Sequence, residues 1–139
     1  MNTEVFQHIN WLAVLVAGLA YFFLGALWYT ILFGKKWRSF NSALMNQADA
    51  KKGATGIMIL SFVLMFVCAL GLSLIVTRLN LAGWLVGLKL GILTGVFFGA
   101  TAISISYVYE KKPLGLHLIN GLYTVAGNII AAIIVACWK

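Results

Sequence analysis

The sequence predicts an all-α membrane protein, four transmembrane helices in an antiparallel bundle that occupies residues 1–139 as a single domain. Three observations carry this. Hydrophobic residues fill 63% and charged residues only 9% of the 139 positions, whereas charged residues make up about a quarter of a soluble domain. Four apolar runs are each long enough to cross a hydrocarbon core roughly 30 Å thick. The single proline, Pro113, falls between two of these runs and interrupts none of them.

The runs place spans at 9–33, 57–77, 81–108 and 116–138, using nearly the whole chain and leaving no room for a soluble domain. The first is preceded by Glu4 and no basic residue, and it ends in aromatics and lysines with no small-residue cleavage site. It is expected to be kept as a helix, not removed as a signal peptide. At 1.5 Å per residue the third span would be roughly 40 Å long, so it should tilt or protrude. Cys68 and Cys137 fall at different depths, and no disulfide is expected between them.

Charge sets the threading. Of the ten Lys and Arg residues, seven lie in two connections: Lys35, Lys36, Arg38, Lys51 and Lys52 after the first span, Lys111 and Lys112 after the third. Positive loops stay in the cytoplasm, so both termini are expected outside. Trp11, Trp84 and Trp138 should then mark the outer interface, and Trp28, Tyr29, Trp37, Tyr107 and Tyr109 the inner one. A net charge of +7 concentrated in this way suits anionic headgroups and argues against a nucleic acid partner.

Connection length sets neighbours. The second and third connections are so short that spans two, three and four are expected to pack as consecutive antiparallel neighbours. In the longer first connection Trp37, Phe40 and Leu44 recur against Arg38, Asn41 and Gln47; an amphipathic helix on the membrane surface and a solvated connector both fit this pattern. Phe22-Phe23 before Lys35-Lys36, and Phe97-Phe98 before Lys111-Lys112, suggest a parallel duplication of two halves.

Gly83, Gly87, Gly91, Gly95 and Gly99 stand at four-residue spacing in the third span. Small residues so spaced let another helix approach closely in lipid, the glycine-zipper pattern, and Gly18 and Gly25 offer the same in the first span. Self-association, or a membrane protein partner, is the expected use of these faces.

Few residues could carry chemistry. Lys89 is the one charge well inside a span, and such a residue is a functional candidate by default. It lies nearly opposite Gly87 and Gly91, on an apolar face from which a lysine can snorkel to the headgroups. His117, Asn120, Thr124 and Asn128 form a polar stripe on the fourth span, read either as interhelical hydrogen bonding or as the lining of a solute path. Glu110, at a helix C-terminus that disfavours it, should pair with Arg38, Lys35 or Lys112. No Asp or Glu lies inside a span, which disfavours a carboxylate relay. Catalytic, cofactor and metal motifs are not found, and an enzyme is not expected.

The blocks Asn10-Trp11, Gly25 to Tyr29, Leu32 to Trp37, Glu110 to Pro113, and Ile119-Asn120 with Tyr123 together resemble the bacterial four-helix membrane family catalogued as domain of unknown function 1761. The resemblance implies a multi-pass protein of the bacterial inner membrane and supplies no activity or site. A structural or accessory component that self-associates is the first reading; a small-solute transporter or channel lined by the fourth-span stripe is the alternative.

Overall fold

The computed structural model describes residues 3–45 and 52–139. Four long apolar helices, Trp11–Leu32, Ala54–Arg78, Trp84–Tyr109 and Leu114–Cys137, can each cross a membrane, and no strand occurs among the described residues. Each lies within a few residues of its expected span, and local chemistry fixes the ends. Asn10 caps the first, its side chain accepting the Ala13 N–H at 3.1 Å, which satisfies a donor the helix start leaves free. The third begins at Trp84, after the expected Leu81, because Gly83 adopts φ 96°. Pro113, extended at φ −66° and ψ 151°, sets the start of the fourth.

The second and third helices end in the same way. Asn80 and Lys111 take left-handed φ of 51° and 53°. Around Asn80, its own N–H donates to Thr77 O and Leu81 N–H to Val76 O; around Lys111, its own N–H donates to Val108 O and Lys112 N–H to Tyr107 O. These are paired Schellman bonds, which satisfy the last carbonyls and reverse the chain within few residues. Beyond the first of these turns, Gly83 N–H donates to Ala136 O at 3.0 Å. That backbone bond docks the start of the third span on the end of the fourth.

The fourth span is the axis of the bundle and packs against the other three, while the first and second also pack together. Half of its apolar window is buried, against 17% for the third span. Spans three and four are close antiparallel neighbours, as expected. Spans two and three are not: despite their short connection they make no substantial contact. In lipid, close packing decides association, and the third span's glycines fit the fourth, whereas Phe66 of the second packs on Gly18 of the first.

The two ends of the bundle differ. Towards the termini, small side chains fill the interior: Ala13 and Ala17 from the first span, Ala69 and Val76 from the second, Ala132 and Ala136 from the fourth. Towards the basic connections, Tyr21, Tyr29 and Tyr123 replace them, with rings 5.4 and 5.1 Å apart for Tyr21–Tyr123 and Tyr29–Tyr123. The first connection does form a surface helix, Gly34–Phe40, followed by a short turn Ser42–Met45. Its Phe40 ring lies over Gly115 and Trp37 packs on Tyr29, while Lys35, Lys36 and Arg38 are exposed. Of the expected polar side Arg38 is outward as expected, whereas Asn41 is half-buried, its Nδ2 donating to Trp37 O at 2.9 Å. Gln47 and Lys51 lie outside the described residues.

Spans one and three each contain a wide π turn, Trp28–Leu32 and Thr94–Ala100. The suggested duplication does not extend to these: the turn follows Phe22-Phe23 in one span and contains Phe97-Phe98 in the other.

Candidate functional site

Where the second and third spans diverge, a cleft of about 730 Å³ opens towards the basic connections. Ser61 and Met65 of the second span face Ile103 and Tyr107 of the third across it, and Asn120, Tyr123 and Thr124 of the fourth form its floor. Trp37 and Asn41 of the surface helix, with Glu110 and Lys112, stand at its mouth. The size falls within the roughly 300–1,000 Å³ of small-molecule sites.

The floor is organised by the first-span π turn. A π turn widens the helix and re-aims its side chains, and here two consecutive residues reach the fourth span: Trp28 Nε1 donates to Ile119 O at 3.1 Å and the Tyr29 hydroxyl to Asn120 Oδ1 at 2.6 Å. Both thus serve the bundle interior in addition to the interface band expected of them. Asn120 Nδ2 in turn donates to the Tyr107 hydroxyl at 2.6 Å. The result is a directional chain, Tyr29 to Asn120 to Tyr107, that ties spans one, four and three together beside the cleft.

Glycines make room for the rings. A Cβ on Gly25 would meet the Tyr123 hydroxyl at 2.8 Å, and one on Gly127 would overlap the Tyr21 ring. Spans one and four therefore each place a tyrosine over the other's glycine. Gly25 accommodates a side chain, unlike Gly18, where Phe66 Cα would lie 3.2 Å from an added Cβ in the close helix approach expected.

The polar stripe divides. Asn120 and Thr124 border the cleft. Asn128 does not; it is buried, its Oδ1 accepting from Thr94 Oγ1 at 3.1 Å and from Cys68 Sγ at 3.7 Å, its Nδ2 donating to Thr124 O at 2.8 Å. It joins spans two, three and four. His117 stands apart at the other end, its ring edge-on to Tyr107 with centroids 5.4 Å apart.

The glycine row has its partner within the chain. A Cβ on Gly87 would meet Ile133 Cα at 2.6 Å, one on Gly95 would meet Val125 Cα at 2.7 Å, and one on Gly91 would overlap Ile129 Cα. Gly99 accommodates the Thr124 methyl, while Gly83 has nothing within 4 Å and serves the turn. The face expected to serve self-association is occupied by the chain's own fourth span. Lys89, on the opposite face, is exposed. Glu110 lies 3.8 Å from Lys112 and accepts from Ser106 Oγ at 3.0 Å; Lys112, in place of Arg38, is its partner, because the turn at Lys111 brings the two side chains to the same side.

Sequence reasoning missed Tyr21, Cys68 and Thr94 as contact residues. A tyrosine in the middle of a span was the available signal, since a buried hydroxyl must find an acceptor. Among the described residues, no group of His, Cys, Asp and Glu could hold a metal ion. A second hollow of about 400 Å³ at the terminal end is lined by Glu4, His8, Arg78 and Lys139 among others, and there Lys139 Nζ donates to Asn80 Oδ1 at 2.9 Å.

No curated protein and no solved structure matches the chain significantly. Residues 12–136 match the family described as protein of unknown function (DUF1761), and the chain belongs to that family.

Proposed function

We propose that this multi-pass membrane protein is a binding protein, not an enzyme, and that the cleft between spans two and three takes up an amphiphilic molecule. The observation that carries this is the divergence of those two spans. It supports a site open sideways to lipid, apolar along its walls and polar at its floor and mouth. A ligand with an apolar body and a hydrogen-bonding head matches that division. By the charge asymmetry of the connections, the cleft opens to the cytoplasmic leaflet of a bacterial inner membrane and both termini lie outside.

Two other readings receive less support. Self-association through the glycine faces lacks a free surface there, because Gly87, Gly91 and Gly95 already meet the fourth span. A solute path along the polar stripe would have to pass Asn128, whose side chain is engaged by three partners.

Ile103→Trp tests the binding reading by filling the cleft from one wall. Native mass spectrometry of protein extracted in mild detergent should show a bound amphiphile on the wild type and little on the variant, with elution and thermal midpoint nearly unchanged. A wild-type protein that carries nothing, or a filled cleft that retains the same adduct, would overturn it.

A further inference from the structure

We propose that the occupant is an anionic glycerophospholipid from the leaflet bordering the basic connections. One acyl chain lies between spans two and three, an ester carbonyl meets the Tyr107 hydroxyl, and the phosphate sits among the cations at the mouth. This rests on the binding reading and adds the chemistry of the head.

Two independent observations point to it. The first is the end of the hydrogen-bond chain. Tyr29 spends its proton on Asn120 and Asn120 spends an amide proton on Tyr107, so Tyr107 receives a bond, and its own proton has no acceptor among the described residues. A donor polarised by the bonds behind it, at the edge of an apolar cleft, calls for a ligand oxygen just below the headgroup level. An ester carbonyl of a glycerophospholipid lies at that depth.

The second is charge. The mouth is bordered by Lys112 and by the surface helix through Trp37 and Asn41, and that helix exposes Lys35, Lys36 and Arg38. Among the described residues Glu110 is the one acid beside them, and its 3.8 Å separation from Lys112 is too long for a direct hydrogen bond, leaving the ammonium protons available. Cations outnumber the acid, which favours a phosphate bearing no compensating amine. A zwitterionic head would bring its own ammonium into this positive field.

The test is competitive retention by the full-length protein in vesicles of equal phosphatidylglycerol and phosphatidylcholine, followed by mild extraction and native mass spectrometry. Phosphatidylglycerol should be retained at least roughly fivefold over phosphatidylcholine, the weight of one surface cation. Lys112→Gln, or Lys35→Gln with Lys36→Gln, should each reduce that preference several-fold. Tyr107→Phe should lower retention of both lipids about fivefold, the worth of one hydrogen bond, and leave the preference intact because the carbonyl is common to both. Equal retention of the two lipids, or a preference that survives both lysine changes, would overturn the phosphate assignment while leaving the binding reading in place. Unaltered retention in Tyr107→Phe would overturn the carbonyl assignment. A wild type that holds neither lipid but carries another amphiphile from cells overturns this inference alone; one that binds nothing overturns both.

Discussion

Towards the third span, the fourth presents Val125, Ile129 and Ile133 to Gly95, Gly91 and Gly87, and the two backbones approach until no Cβ would fit between them. Near the basic connections the same helix presents Asn120, Tyr123 and Thr124, which meet Tyr29 and Gly25 of the first span and Tyr107 and Gly99 of the third, and there the second and third spans stand off far enough to leave a cleft. Both sides lie on one helix and in one membrane. The difference is made by what occupies the space between axes. Without a hydrophobic driving force, helices in lipid associate by surface fit and by hydrogen bonds between them. Absent side chains give a dry seam; rings and amides give a spaced, polar contact with room beside it.

The largest effect should come from closing the seam's own space. Gly91→Leu puts a branched side chain where Ile129 Cα already stands, and a backbone cannot rotate out of the way. A loss of at least about 3 kcal/mol is expected, at or beyond the upper range for overpacking, seen as little folded protein by fluorescence-detected size-exclusion chromatography. Gly71→Leu is the control, since a Cβ at Gly71 meets nothing within 4 Å. It should elute as the wild type does. Equal tolerance at both positions would mean that the seam is loose and the contrast between the two sides is not real.

Asn128→Leu comes next. It keeps the volume while removing the amide that links Cys68, Thr94 and Thr124. Interhelical hydrogen bonds in membranes contribute about 0.6 to 2 kcal/mol each, so the thermal midpoint should fall measurably with the fold retained. Thr94 Oγ1 keeps an acceptor in Leu90 O at 2.9 Å, which limits the loss. An unchanged midpoint, with rapid modification of a cysteine placed at 128 by a small water-soluble reagent, would show that water reaches this depth and would restore the solute-path reading.

The sequence made the spans legible because apolar length and scarce charge act locally, and it made the glycine row legible because its period matches a helix face. It did not identify the partner of that row: another molecule was expected, whereas the row meets the chain's own fourth span, since spacing shows that a helix can come close and not which one. The fourth span is the partner because its Val125, Ile129 and Ile133 fit the glycines, and the bond from Gly83 to Ala136 O is a further contact of the same pairing; both are tertiary. The cleft was hidden for the same reason: short connections suggested that spans two and three would pack, yet a turn fixes proximity at one end only. Asn120 was visible as a polar residue in a helix, but its partners were not. The Tyr29 contact arises from a π turn in the first span, a widening for which the apolar pattern gives no sign.

The smallest effect should come from the third span's free face, two residues away from the largest. Lys89 is exposed, as are Leu85 and Leu93 on the same side, and this face is available to lipid while Gly87 and Gly91 are enclosed. An ammonium there keeps its charge solvated by reaching the headgroups along its own stem. Lys89→Met retains that stem's length and apolar character and removes the charge that had to be carried out of hydrocarbon. The thermal midpoint should therefore stay the same or rise slightly, a change within roughly 0.5 kcal/mol. Substantial loss of folded protein would instead show that the ammonium has an acceptor on a neighbouring molecule. The outer face of the third span would then be a contact surface of the assembled protein, and that span would no longer have one enclosed and one free side.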